Sequence, residues 1–119
     1  MKYNIYAVYD SAVNAYMRPF TMQADGQALR GFTDEACNAE SPVGQHPEDY
    51  SLFRIGEYDE RNGHIEACVP PKCIGRAHEL YAATRARATL EAAREFHNNP
   101  GAVKANGQES IASRAEEQE

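Results

Sequence analysis

The segment from His46 to Ile65 constrains the fold of this chain more than any other. Pro47 biases His46 away from the helical region, so any preceding helix has to stop there. Tyr50 to Tyr58 is dense in aromatic and β-branched residues, which favour a pleated strand. Asn62-Gly63 suits a two-residue turn that needs positive φ at both central positions. The segment therefore predicts a turn, a strand, a tight hairpin and a return strand over about residues 64–68.

The rest of the chain adds elements around this hairpin. Lys2 to Tyr9 reads as a strand with Tyr3, Ile5, Ala7 and Tyr9 on one face and Asn4, Tyr6 and Val8 on the other. Both faces are largely apolar, which places this strand in the middle of a sheet. Tyr16 to Met22 is its hairpin partner. Pro19 cannot donate to a ladder, so the partner lies at an edge or is bulged. Asp25 opens a helix as its cap, and Ala28, Leu29, Phe32 and Ala36 make the apolar stripe. A loop over 39–47 follows. Pro70-Pro71 breaks the chain again, and an alanine-rich stretch from about Ile74 to His97 has strong helical propensity. The expected fold class is α+β: a small antiparallel sheet from two hairpins, one short helix and one long C-terminal helix. The expected organisation is a single domain over 1–100, with the sheet and short helix in 1–69 and the long helix in 73–98. An acidic, disordered tail is expected over 101–119.

Charge divides along the chain in a way the net value of −6 hides. Residues 1–66 hold five basic and eleven acidic residues, 67–104 six basic and three acidic, and 105–119 one basic and four acidic. An acidic body thus precedes a basic helix and an acidic tail. No apolar run is long enough to span a membrane, and Met1 to Tyr6 lacks the pattern of a secretory leader. Three irregularly spaced cysteines argue against a disulfide framework and read as small buried hydrophobes in a reducing compartment.

Three pieces of sequence carry a resemblance when taken in order: Tyr6–Asp10 followed by Ala15–Phe20, Asp25–Asp34, and His46–Asp59. Over about residues 3–66 the chain resembles the small non-structural protein of the gokushoviruses, microviruses with circular single-stranded DNA. That family is described as DNA-binding and as the counterpart of the microviral C protein. The resemblance implies a role in turning genome replication from duplex synthesis to single-strand synthesis and packaging, in the host cytoplasm. It brings no catalytic residues.

Single-stranded DNA is held by stacking aromatics beside basic side chains. Tyrosine makes up seven of the eleven aromatics, and a hydroxyl suits a half-wet surface. Tyr16, Tyr50 and Tyr58 sit beside turns or edges and are the expected stacking residues, with Arg18 and Arg54 next to them to grip a phosphate. At 100° per residue, Arg87 and Arg94 fall within about 20° of Arg76, a basic stripe preceded by Lys72. The bland alternative is a solvated face in which Arg87 and Arg94 pair with Glu91. His64, Cys68, Cys73 and His78 have zinc-compatible chemistry, but Pro70-Pro71 divides them, and no metal or other cofactor is expected. No nucleophile–base pair, P-loop or dinucleotide motif occurs, so no enzyme activity is expected.

These readings combine into a non-enzymatic phage accessory that binds single-stranded DNA, with a homodimer and contacts to a replication initiator, host helicase or procapsid as further expectations. The alternative is a protein-interaction module whose acidic body docks the replication initiator or a host replication protein without touching DNA.

Overall fold

The structure, a computed structural model, describes residues 1–98. Residues 1–83 form one compact unit, and the described residues 84–98 belong to a second. The expected tail over 101–119 lies outside the described residues. The first unit is built on an antiparallel sheet. Strand β1 (Lys2–Asp10) is central and pairs along its length with β4 (Tyr50–Asp59). Its other side carries two short strands, β2 (Ala15–Tyr16) and β3 (Phe20–Met22). Strand β5 (His64–Arg76) completes the sheet beyond β4. The α+β class expected from the sequence is the class observed.

One face of the sheet is covered by α1 (Asp25–Ala36) and the four-residue α2 (Pro42–Gln45). Tyr6 and Leu52 are fully buried there with Ala28, Phe32, Ala36 and Val43, and Ala77 joins them. Ala77 opens the long helix α3 (Ala77–Asn98). The predicted stripe on α1 holds for Ala28, Phe32 and Ala36, while Leu29 is half-buried. Asp25 is the first helical residue rather than the cap. Ala24 occupies the cap position, where its N–H donates to Gln27 Oε1 at 3.1 Å. The Asp25 carboxylate is instead taken up by the sheet.

Three boundaries differ from the sequence reading. The strand after β1 is broken at Met17–Pro19 into β2 and β3, the consequence of a proline at a sheet edge. The β4–β5 loop has four residues, with Asp59 and His64 paired across it and the Gly63 N–H donating to Asp59 O at 2.8 Å. Only Gly63 is left-handed there, at φ 71°. Asn62 instead accepts the His64 N–H at 2.9 Å. Most consequentially, β5 does not stop before Pro70-Pro71. Residues 68–71 stand opposite Ile55 alone as a wide bulge with a cis Val69-Pro70 bond, and pairing resumes at Lys72. An edge strand tolerates this because its outer N–H groups need no partner in the sheet.

Candidate nucleic-acid interface

Directly paired residues in neighbouring strands share a face of the sheet. The register therefore sorts the candidate residues. Tyr9 is paired with Tyr16 on one side and with Ser51 on the other, and Ser51 with Arg76. The next row toward the middle of the sheet is Ala7, Phe53 and Cys73. Further along come Tyr3, Tyr58 and Ile65. None of these residues belongs to the cluster beneath α1 and α2. They form the opposite face, which neither α1 nor α2 covers.

At one end of this bare face three rings meet. Tyr9 and Tyr16 have centroids 4.9 Å apart, Tyr16 and Phe53 5.8 Å, and Tyr9 and Phe53 6.3 Å. The edge-to-face arrangement of Phe53 against both tyrosines is a favourable one for aromatic quadrupoles. Tyr16 is 46% exposed and is the outermost ring. The Tyr9 hydroxyl donates to Asn14 Oδ1 at 3.1 Å, where Asn14 turns the chain with φ 57°. Arg76 stands two strands from Tyr9 in the same row, about 10 Å away at the usual strand spacing.

The electrostatics of the two faces differ. Among the paired positions of the bare face, Arg76 is the only charged residue. Asp10, Glu57, Asp59 and Glu66, with Lys2, Arg54 and Lys72, occupy the opposite set of positions. The paired positions of this face thus offer an anion rings and one guanidinium, although the chain as a whole is acidic. Asp59 is engaged locally. Its carboxylate accepts the Arg61 N–H at 3.0 Å, a contact that, followed by the Arg61 side chain, holds its pKa below the ordinary value.

Not all the residues expected at the interface reach it. Tyr16, Tyr58 and Arg76 share the bare face. Arg54 is on the helix-covered side, where its Nη1 lies 3.5 Å from Asp25 Oδ1. Asp25 Oδ1 also accepts the Tyr6 hydroxyl at 2.6 Å and the Asn4 amide at 3.3 Å. Arg54 is therefore spent in a largely buried polar cluster and is withdrawn from phosphate contact. Lys72 is paired with Arg54 and shares its side of the sheet. Tyr50 also turns to that side and packs against the core. Burial there, followed by the nearby Asp10 carboxylate, raises its pKa. Arg18 is exposed in the connector between β2 and β3 rather than within a strand. Arg76 ends β5 and is not a residue of α3, so the helical stripe reduces to Arg87 and Arg94. Both are exposed on α3 in the second unit, and among the described residues neither makes an ion pair with Glu91.

Sequence reasoning missed Tyr9 and Phe53 as members of the ring cluster by looking for stacking residues only beside turns and edges. A countable signal was available: one short helix covers only one face of a sheet. The cysteines are another correction, since Cys37 and Cys73 are exposed and Cys68 is half-buried. Among the described residues, the metal-capable side chains that converge are His46, Glu48 and Asp49 rather than His64, Cys68, Cys73 and His78.

The architecture defines a small α+β protein whose sheet has one face covered by α1 and α2 and an aromatic face that these helices leave uncovered. A family model described as Phage ORF5 protein matches residues 3–80. The chain belongs to this family of phage proteins, and the match takes in the sheet from Tyr3 onward, α1, α2 and the first turn of α3. Neither the curated proteins nor the solved structures give a match.

Proposed function

We propose that this phage protein is a non-enzymatic accessory that binds single-stranded DNA and promotes the switch to single-stranded genome synthesis and packaging. The observation that carries the reading is the bare face, where Tyr9, Tyr16 and Phe53 cluster on a surface whose paired positions hold Arg76 and no carboxylate. Unstacked bases lie on such rings whatever their identity, and arginine neutralises the phosphates between them. Arg87 and Arg94 supply further charge along α3. The protein works in the host cytoplasm as a homodimer, because linking two modest sites raises avidity. It needs no cofactor for stacking and charge neutralisation.

The test is a fluorescence titration of short single strands across a salt series. Tyr16→Ala is expected to weaken binding about fivefold or more, the loss of one stacked base. The triple variant Arg76→Ala, Arg87→Ala, Arg94→Ala is expected to flatten the salt dependence by up to about 2 in log–log slope. Absence of wild-type binding at low salt would defeat the reading.

A second reading is favoured by Glu57, Asp59 and Glu66, which gather with Lys2 and His64 around one depression. That acidic end suits a basic protein partner such as the replication initiator, a host helicase or the procapsid. Under it, DNA is retained only when the partner is present, and the purified protein alone leaves the strand free.

A further inference from the structure

Resting on the single-strand reading, we infer that the bare face holds a second base-binding position, a shallow apolar depression at the end away from the ring cluster. It is lined by Ile5, Pro19, Phe20, Thr21, Tyr58 and Ile65 and has a volume of about 280 Å³. That is the lower limit of small-molecule sites, enough for one flat ring system. Ile5 and Thr21, paired across β1 and β3, lie side by side in it, and Gly56 and Ala67 continue their row across the sheet without a large side chain. Its walls are apolar on both sides, and the hydroxyls of Thr21 and Tyr58 supply the polar atoms for a base edge.

Position on the face selects the occupant. Ile5 and Tyr9 point to the same face of β1 and are four residues apart, about 13 Å. At the rise of about 3.4 Å per stacked base this span is about four steps, so about five nucleotides reach both positions. A strand running along β1 therefore puts one base in the depression and another on the rings, with a phosphate within reach of Arg76. A second copy of the chain fits less well. Its own bare face offers a depression rather than a ridge here, and no carboxylate for Arg76. Edge-to-edge pairing is also blocked, by Met17–Pro19 at one edge and the Pro70-Pro71 bulge at the other.

The experiment titrates fluorescent oligothymidylates of two, four and eight nucleotides onto the full chain at low salt. It compares wild type, Ile65→Ser and Tyr16→Ala. Ile65 is 63% exposed and Tyr16 46% exposed, so neither change disturbs the core, and matching thermal unfolding curves verify this. Wild-type affinity is expected to step up between four and eight nucleotides. Ile65→Ser is expected to lower octamer affinity by about five- to tenfold and to leave the dinucleotide unchanged, whereas Tyr16→Ala lowers both. If Ile65→Ser binds the octamer as wild type does while Tyr16→Ala does not, the second position is wrong and the single-strand reading stands. If wild type binds no oligonucleotide, that reading falls and the second position with it. A wild-type dimer that becomes monomeric in Ile65→Ser, with octamer affinity unchanged, overturns the inference and assigns the depression to a second copy.

Discussion

Tyr6 shows how a single residue ties the covered face together. Its ring is fully buried and stacks on Phe20 at 5.7 Å, while its hydroxyl reaches Asp25 at the start of α1. Burial, then the Asp25 hydrogen bond, pushes the Tyr6 pKa up to about 12 from 10.0. The folded state thus holds this proton more tightly than the unfolded chain does. The resulting stability is fully present below pH 10 and is lost as pH rises from 10 to about 12. A shift of this size corresponds to about 2–3 kcal/mol. Tyr6→Phe is expected to lower stability by about 1 kcal/mol at neutral pH, because the hydroxyl bond is lost. It should also abolish the tyrosine-linked fall above pH 10, so chemical denaturation of both proteins at pH 8, 10 and 11 checks the sign. Asp59 works in the other direction. Its pKa is depressed, so its contribution is present above the ordinary carboxylate value of 3.8 and is lost as pH falls below it. Asp59→Asn should remove that acid-side slope in the same measurements.

Among the elements, the short helix α2 depends on a backbone approach that side-chain patterns do not reveal. A Cβ at Gly44 would lie 1.8 Å from the Asn38 carbonyl oxygen. Gly44→Ala must therefore move α2 away from the end of α1 and expose buried Val43. It is expected to destabilise the fold by about 2 kcal/mol or more, read as a lower urea midpoint. Much of the sheet was legible because periodicity and turn chemistry agree: β1 is apolar on both faces and central, and the aromatic run of β4 leads into Asn62-Gly63. The course of β5 was not legible. Pro70-Pro71 reads as a stop, and only the position of β5 at an edge, a tertiary fact, allows a strand to continue through it. That misreading started the long helix too early and counted Arg76 into its stripe. The candidate site was legible in part for a related reason. Tyr9 and Phe53 look like core residues in sequence, and which apolar face lies beneath α1 is decided by how the helix docks.

At the scale of the whole molecule, the two units separate the two sources of positive charge. The first unit, 1–83, contains the sheet, α1, α2 and the opening of α3 with Ala77, and among the described residues all the buried core residues lie within it. Arg87 and Arg94 belong to the second unit, where residues 85–97 are all exposed. A chain ending at Ala83 should therefore unfold cooperatively on its own, with a thermal midpoint close to that of the full chain. It keeps Tyr9, Tyr16, Phe53 and Arg76 and loses the helical arginines. If the bare face is the principal site, the shortened chain still binds single strands at low salt, and Tyr16→Ala still weakens it. Loss of two phosphate contacts should lower the log–log salt slope by about 1.4. If the shortened chain folds but does not bind, while the full chain does, affinity resides on α3 and the rings of the sheet serve another partner. Stacking is sequence-tolerant but needs a flat exposed ring, and the charge of α3 needs only proximity to phosphate. Salt slope and ring substitution therefore report on different units and can be measured on the same two proteins.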